Sequence, residues 1–405
     1  MQHRSLPGIV VLSSVALLLP ATAPVAETTS PGIMFNAAYT GEPIKNLSGG
    51  RKTGGTYLDN LDLQLAADRG SLFGIPGLSG LLYGLYNNAN EFSEEYVGDA
   101  QIVSNIDAPR AFRLFEAWLD WVADQDEQFS VRVGLYNLNS EFDSVETAFL
   151  FPGSAHGIGT DFSQSGLNGP SIFPVTSLSL RLRTTTTNGA YGQLAILDGV
   201  PGNPNDPSSN KIDLSSDDGA LLVLEGGWSS GAWRKLAIGL WRYTTDFDRL
   251  AATAPSGDPL RDDGNNGWYA IADRILCTSD SGTAAGFLRV GQAEDRFNTF
   301  DGYLGAGSTL TGFWSHRRDD SVGVAMAMAF TGDKYQQAQA LAGADTDNHE
   351  TSLELTYRAP ITDWLTLQPD IQYIINPGTD PALDNALTVS LRFELSYSKQ
   401  LSGDR

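Results

Sequence analysis

The segment that most constrains the fold lies near the C-terminus, where apolar and polar side chains alternate through two long stretches. In residues 365–373 and 387–397 every second side chain is apolar, and the intervening ones include Gln368 and Arg392. A period of two indicates a β-strand with one apolar face and one hydrated face. Because the hydrated face carries ionised groups and the apolar face ends at the aromatic Tyr397, the pattern is typical of a transmembrane β-barrel wall.

The same pattern, bounded by turn residues, predicts about sixteen strands along the chain. No stretch of about a dozen residues shows convincing helical periodicity. The predicted fold class is therefore all-β, a single transmembrane antiparallel β-barrel of about 16 strands. We expect the strands near residues 33–40, 56–68, 80–90, 110–122, 128–137, 175–183, 189–198, 219–228, 231–244, 267–277, 284–293, 308–316, 320–330, 349–358, 363–375 and 386–397.

Short and long connections alternate between these strands, as in outer-membrane barrels, which have short periplasmic turns and longer extracellular loops. An even strand number also places both termini on the periplasmic side. The predicted short turns are 124–127, 184–188, 229–230, 278–283, 317–319 and 359–362. The predicted long loops are 91–109, 138–174, 199–218, 245–266, 294–307, 331–348 and 376–385.

The longest loop, residues 138–174, contains the apolar run Phe149, Leu150 and Phe151 before a glycine-rich part. An ordinary loop of this length is polar and mobile. The apolar content predicts that the loop packs against another part of the protein. It could fold into the barrel mouth as a constriction, or cover the barrel as an outer cap.

The N-terminus has the features of a secretory signal peptide. His3 and Arg4 precede an apolar run at 9–19, and cleavage is expected after Ala23 or Ala26. We therefore divide the chain into a signal peptide, residues 1–26, and one barrel domain, residues 27–405. No later segment has about 18 consecutive apolar residues, so a chain that spans a membrane would have to do so as a closed barrel.

The charge balance argues against a nucleic-acid-binding protein, and the single cysteine excludes a disulfide-linked fold. The formal net charge is -22, which argues against nucleic-acid binding, because a phosphate backbone requires a basic surface. The acidic groups indicate either solubility or a mild cation bias at the pore mouth. Cys277 is the only cysteine, so no intrachain disulfide can form.

The chain resembles the OprB-type carbohydrate-selective porins. The resemblance is carried by Leu-Gln-Pro-Asp-Ile-Gln-Tyr-Ile-Ile-Asn-Pro-Gly at 367–378, with Arg-Val-Gly-Leu-Tyr-Asn at 132–137 and Phe-Leu-Phe at 149–151 upstream. It implies a sixteen-stranded barrel in the outer membrane of a Gram-negative bacterium that passes sugars by diffusion. The chain departs from many outer-membrane barrels, which end on an aromatic residue, by continuing beyond Tyr397 to Arg405.

A sugar-selective pore needs aromatic faces that stack on pyranose rings and polar groups that replace the water lost from the hydroxyls. We assigned faces by alternation, with Leu114 toward the lumen and Phe115 toward lipid. Other side chains on the hydrated faces include Asp62, Gln64, Glu225, Arg289, Glu354, Arg392 and Glu394. The residues predicted to line the pore and bind sugar are Glu116, Trp118, Arg132, Tyr136, Arg181, Arg183, Trp241, Gln368, Asp370 and Gln372.

Two of these predictions have structural alternatives. Trp118 is the main stacking candidate, with Trp241 second, but both could belong to an interfacial aromatic girdle. Pro369 cannot donate to a ladder, so we expect a bulge or break that directs Gln368 and Asp370 into the pore. The expected partners are mono- or oligosaccharides, outer-membrane lipid and lipopolysaccharide, with a monomer or a homotrimer left open.

The sequence contains few residues that could form a metal site or a hydrolytic active site. Histidine occurs only at positions 3, 156, 316 and 349, which makes a three-histidine zinc site improbable. The stretches 213–219 and 262–267 loosely resemble calcium ligands but lack EF-hand spacing, so we expect loop turns and no cofactor, with a structural Ca²⁺ in an outer loop as the alternative. The alternatives to a sugar channel are a general diffusion porin, an outer-membrane phospholipase with a Ser–His pair, and a secreted soluble carbohydrate-binding β-protein.

Overall fold

The computed structural model describes residues 32–402, except 70–71, 89–90, 124–127, 204–205, 207–211, 213–216 and 254–257. The predicted signal peptide, the predicted turn at 124–127 and most of the calcium-like stretch at 213–219 lie outside the described residues.

Sixteen strands close into one antiparallel barrel, which confirms the predicted fold class. Each strand pairs with the next along the chain, and β1 pairs with β18 to close the ring. Two further strands, β10 and β11, form a separate hairpin between β9 and β12. The strands are β1 (Ile33–Ser48), β2 (Gly54–Ala67), β3 (Leu78–Asn87), β4 (Ala111–Val122), β5 (Phe129–Tyr136), β6 (Ser177–Thr185), β7 (Ala190–Asp198), β8 (Ala220–Ser230), β9 (Trp233–Tyr243), β10 (Phe247–Thr253), β11 (Pro259–Asp262), β12 (Asn266–Ser279), β13 (Gly282–Ala293), β14 (Phe300–Thr311), β15 (Ser321–Thr331), β16 (His349–Thr362), β17 (Leu365–Ile375) and β18 (Ala386–Ser402).

The helices are confined to the connections. They are α1 (Thr160–Ser163) and α2 (Asp333–Leu341), with single turns at Ser93–Val97, Leu138–Ser140, Glu146–Leu150, Ser154–His156 and Pro377–Thr379. Hydrophobic periodicity did not predict α2, because the helix buries no residue and therefore has no apolar stripe. None of the helices in the described part of the chain is long and apolar enough to cross a membrane.

The strands expose apolar side chains on the outer face of the barrel and direct polar ones inward. Large apolar residues such as Leu82, Val133, Ile238 and Leu355 are about half exposed on this outer face. Such a continuous apolar surface is unusual for a soluble protein and is satisfied by lipid. The secreted soluble alternative would have required these faces to pack against one another.

One bulge changes the face assignment within β4. Tyr83 pairs with Glu116 and Gly84 pairs with Leu114, so Phe115 has no partner on β3. The extra residue shifts the alternation by one position. Leu114 therefore faces lipid and is 45% exposed, whereas Phe115 faces the lumen and is 4% exposed. Both assignments made from the sequence were wrong for this reason.

The bounds of β14 also differ from the prediction, which placed the strand at 308–316 and a loop at 294–307. The strand runs over Phe300–Thr311 and contains three glycines that weaken its sequence signal. The ring of Tyr303 occupies the space beside Gly305, and the ring of Phe287 occupies the space beside Gly307. Aromatic neighbours thus supply the packing that these glycines lack.

Pro369 causes the expected local break, because the pairing with β16 is interrupted at 368–369, but there is no bulge. Pro369 pairs in register with Leu391 on β18, so Gln368 and Asp370 point inward by simple alternation. Two expectations at the chain ends changed. β1 continues through Pro43 to Ser48, well beyond the predicted end. β18 continues past Tyr397 to Ser402, so much of the C-terminal tail extends the last strand along β1.

Most connections at one end of the barrel are short, as at 186–189, 231–232 and 363–364. Most at the other end are long, and the longest are 88–110 and 137–176. The predicted asymmetry is confirmed, and both termini of the barrel lie at the short-turn end. We call residues 88–110 the second loop and residues 137–176 the third loop.

The lipid-facing surface can be tested at Ile238, which is 57% exposed near the middle of β9. We expect Ile238→Arg to lower the free energy of unfolding in lipid bilayers by about 2–4 kcal/mol, because a guanidinium would face hydrocarbon. Leu167→Arg is the control, since Leu167 is 61% exposed on the third loop. Urea titration of folded protein in vesicles measures the effect. Equal stability of the two variants would contradict the assignment of this face to lipid.

Candidate functional site in the barrel lumen

The third loop folds into the barrel and packs against the inner wall. Its Phe142 and Phe162 are fully buried in one apolar cluster with Trp241, Tyr243 and Tyr269 of the wall. The loop therefore constricts the lumen, and the alternative of an outer cap is excluded. The apolar residues that made this loop unusual in the sequence include those that attach it to the wall.

Trp241 points into the lumen but is covered by the third loop. Its ring stacks on that of Phe162 with the centroids 4.9 Å apart and the planes within 7°. Only 2% of the residue is exposed. In this arrangement the third loop occupies the ring face of Trp241 that a bound sugar would need.

Arg289 on β13 holds two carboxylates of the third loop. Its Nη2 donates to Asp143 Oδ2 at 2.6 Å, its Nε donates to Asp143 Oδ1 at 3.1 Å, and its Nη1 donates to Asp161. All three side chains are buried. Burial raises the pKa of Asp143 to about 6, although the guanidinium opposes the shift. This fork-like pairing fixes both position and orientation of the loop.

A second charged cluster holds the start of the third loop through Glu141. Arg181 donates to Glu141 at 2.8 Å and to Asp120 at 2.7 Å, and Arg132 donates to Asp120 at 2.8 Å. The hydroxyl of Tyr136 donates to Glu141 at 2.5 Å. Burial acts to raise the pKa of Glu141, but the charges of the neighbouring arginines outweigh it and lower the pKa to about 2.

Carboxylates of the wall also bind backbone N–H groups of the third loop. Glu225 accepts from the N–H of Asp143 at 3.0 Å. Asp273 accepts from that of Thr147 at 2.9 Å, and Glu354 accepts from that of Gly153 at 3.2 Å. Buried backbone donors need partners, and here the barrel wall supplies them at intervals along the loop.

The second loop also folds inward, which the sequence analysis missed. Glu350 on β16 accepts from the N–H groups of Ala100 at 2.8 Å and Gln101 at 2.9 Å, and from Gly378 at 2.5 Å. Phe92 and Val97 of this loop are fully buried against the wall. The apolar residues of the loop were the available signal, since the same observation led to the correct prediction for the third loop.

The remaining lumen is a cavity of about 710 Å³ beside the two loops. One side is a polar wall built from β1–β4 and β16–β18. Its lining side chains are Thr40, Asn60, Asp62, Gln64, Tyr83, Arg113, Phe115, Glu116, Arg358, Thr366, Gln368, Arg392 and Glu394. We call this set the polar wall. The rest of the lining comes from the second and third loops and from Asn203 and Asp206 of the connection between β7 and β8.

Only two of the ten predicted site residues line this cavity, namely Glu116 and Gln368. Arg132, Tyr136 and Arg181 are directed inward as predicted, but they are buried in the cluster around Glu141. Gln372 holds the second loop, because its side-chain amide donates to the carbonyl of Val103 at 2.8 Å. Alternation predicted the direction of these side chains, but it did not show which of them the loops cover.

Trp118, Asp370 and Arg183 do not line the cavity. The Arg132 guanidinium lies 4.0 Å from the ring centroid of Trp118, and the indole N–H donates to Glu116 at 3.0 Å. One face of this ring therefore binds a cation of the wall. Asp370 accepts from Gln372 at 3.0 Å and is 3% exposed, and Arg183 donates to Gln193 at 3.3 Å.

Metal-binding and hydrolytic arrangements find no support in the lumen. Among the described residues, no group of three or more His, Cys, Asp or Glu side chains could hold a metal ion. In the calcium-like stretch at 262–267, Asp262 pairs with Arg296 at 2.6 Å and Asp263 with Arg242 at 3.4 Å. His156 belongs to the third loop and is buried inside the barrel, 3.1 Å from Glu354, and not on the outer wall that the phospholipase alternative requires.

Comparisons with known proteins agree with this architecture. The model of the carbohydrate-selective porin family OprB matches residues 52–397. Porin B of Pseudomonas aeruginosa is 25% identical over 411 residues, which cover 92% of this chain and 89% of that protein. The high-pH structure of Pseudomonas putida OprB superposes with a TM-score of 0.80 at 21% identity, covering 90% of this chain and 94% of that one. The outer-membrane channel DcaP of Acinetobacter baumannii gives a TM-score of 0.51 at 10% identity, covering 90% of this chain and 98% of that one.

We expect Arg289→Met to detach the third loop. Removing the guanidinium leaves Asp143 and Asp161 buried without a counter-charge, which costs about 3–5 kcal/mol. Open-channel conductance in a planar bilayer should rise, with added current noise. The triple variant with Asp143→Asn and Asp161→Asn should recover part of the lost stability. Unchanged conductance in Arg289→Met would show that this cluster does not hold the constriction.

The Glu141 cluster predicts a pH dependence. Because its pKa is lowered from 4.5 to about 2, Glu141 contributes stability that is fully present above pH 4.5 and is lost as the pH falls through about 2. Glu141→Gln should therefore be less stable than the parent protein at pH 7. The difference should disappear near pH 2. A thermal unfolding series in detergent measures both, and a difference that persists at the lowest pH would contradict the assignment.

Proposed function

This chain belongs to the OprB family of carbohydrate-selective porins, and from this premise we propose that mono- and disaccharides diffuse through it along the polar wall. The chain is an outer-membrane channel and not an enzyme. The observation that supports the proposal is the division of the lumen, in which the loops cover part of the barrel wall and leave the polar wall facing the cavity.

The polar wall offers the groups that a neutral polyhydroxylated solute needs. Glu116 and Gln368 belong to the set predicted from the sequence, and Asp62, Tyr83 and Glu394 join them. Carboxylates and amides replace the water lost from sugar hydroxyls, and the ring of Tyr83 can lie against the C–H face of a pyranose. Acidic and basic groups occur together on the wall, so it offers both hydrogen-bond acceptors and donors to the hydroxyls of a neutral solute.

The other predicted residues act indirectly in this proposal. Arg132, Tyr136 and Arg181 hold Glu141 and so position the third loop. Trp118 supports Glu116 through its indole N–H and carries the guanidinium of Arg132. These residues shape the path that the sugar follows without lining the cavity.

The size of the cavity favours small saccharides. A volume of about 710 Å³ lies within the range of about 300–1,000 Å³ that encloses a small organic ligand. Binding has to stay weak for a solute to leave on the far side.

The proposal further includes contact of the outer face with membrane lipid and lipopolysaccharide. Light scattering of the detergent-solubilised protein would distinguish a monomer from a homotrimer.

We expect Glu394→Gln to raise the glucose concentration that gives half-maximal block of the current by roughly three- to tenfold, because a charge-assisted hydrogen bond is lost. Glu394 lines the cavity on β18. Glu95→Gln is the matched control, since Glu95 pairs with Lys52 on the exposed surface. Planar-bilayer titrations with glucose measure the effect. If glucose does not block even the parent channel, the protein is a general diffusion porin.

A further inference from the structure

The loops contribute an apolar part of the cavity lining, beside polar loop residues such as Gln101 and Asn139. Ile102 of the second loop belongs to this part, together with Phe149, Leu150, Ile172 and Phe173 of the third loop. We call these five residues the apolar lining. Ile102 is 38% exposed, and the other four are partly exposed. Apolar side chains that stay partly exposed in the lumen indicate a binding surface, although Leu150 and Ile172 also pack on the apolar cluster behind them.

The apolar lining is held rigidly beside the polar wall. Gln368 of the wall donates to the carbonyl of Leu150 at 2.7 Å. The carbonyl of Ile102 accepts from the N–H of Ser154 at 3.0 Å, which joins the two loops. The ring of Phe115 contacts that of Phe173, with centroids 6.2 Å apart. A solute in the cavity thus meets both the polar wall and the apolar lining.

Ile102 is the most unusual member of this lining. Its φ of 60° lies in the left-handed region, which a β-branched residue rarely adopts. Glu350 fixes the preceding residue, because it accepts from the N–H of Gln101. The anchors therefore hold a strained backbone that presents an apolar side chain to the lumen, and such strain is concentrated at ligand-binding positions.

We propose that the channel also accepts glycosides that carry an aryl aglycone, with the sugar against the polar wall and the aryl group against the apolar lining. The inference rests on the proposed function, since the sugar half uses the same wall. A flat aryl ring gains free energy from leaving water, whereas a methyl aglycone gains much less. A plain hexose engages the apolar lining only through its C–H groups.

The test compares glucose, methyl β-glucoside and phenyl β-glucoside as blockers of single-channel current. For the parent channel, we expect the half-saturating concentration of the phenyl glucoside to be about tenfold below that of the methyl glucoside, from burial of roughly half a phenyl ring. Ile102→Asn removes the apolar group and suits the left-handed backbone, because asparagine tolerates positive φ. Phe149→Ala removes a ring from the lining.

In both variants the two glucosides should differ by less than about twofold, and block by glucose should also shift by less than about twofold, because a hexose contacts the lining only through its C–H groups. Phe73→Ala is the control, because Phe73 is 81% exposed in the connection 68–77, away from the cavity. It should retain the full preference for the phenyl glucoside. Conductance without sugar identifies any variant that fails to fold.

Two results would overturn the inference while the proposed function stands. One is equal block of the parent channel by the methyl and phenyl glucosides, with glucose still blocking. The other is a phenyl preference that survives in both Ile102→Asn and Phe149→Ala. Absence of block by all three sugars would instead overturn the proposed function and the inference together.

Discussion

The pairing of wall and loop charges inside the barrel determines the remaining structure of the pore. A barrel of sixteen strands is wide enough to leave an aqueous channel, so its selectivity depends on what fills part of that channel. Arg289 and Arg181 on the wall bind Asp143 and Glu141 of the third loop at hydrogen-bonding distances. These contacts are buried, and each would be costly to break on one side only. The constriction is therefore a fixed part of the fold.

The two inward loops divide the lumen unequally. The third loop covers the wall from β5 to β15 through an apolar cluster that includes Phe142 and Trp241. The second loop binds near β15–β17 through Glu350 and Gln372. What remains is a cavity with a polar wall and an apolar lining. The wide barrel is thereby narrowed to a smaller cavity that combines polar and apolar lining residues.

The local pattern predicted most of the strands because alternation is a property of adjacent residues. It placed β17 and the start of β18 almost correctly and oriented Arg132 and Arg181 inward. It was wrong at Phe115, where a bulge shifts the phase, and it missed the start of β14 among glycines. The site was harder to predict, because Arg289 meets Asp143 across 146 residues of sequence. The alternation of neighbouring residues carries no information about contacts between distant parts of the chain. Several residues predicted as sugar ligands are therefore covered by the loops.

The wall carboxylates hold the loops largely by their backbone. Glu350, Glu225 and Glu354 accept hydrogen bonds from main-chain N–H groups, which every residue except proline provides. The loop side chains that face the cavity therefore contribute less to attaching the loops to the wall. Mutations can exchange them one at a time while the loop keeps its path. Such a separation lets related channels diverge in the solutes they admit without redesigning the barrel, and it makes the apolar lining a natural position for engineering new permeants.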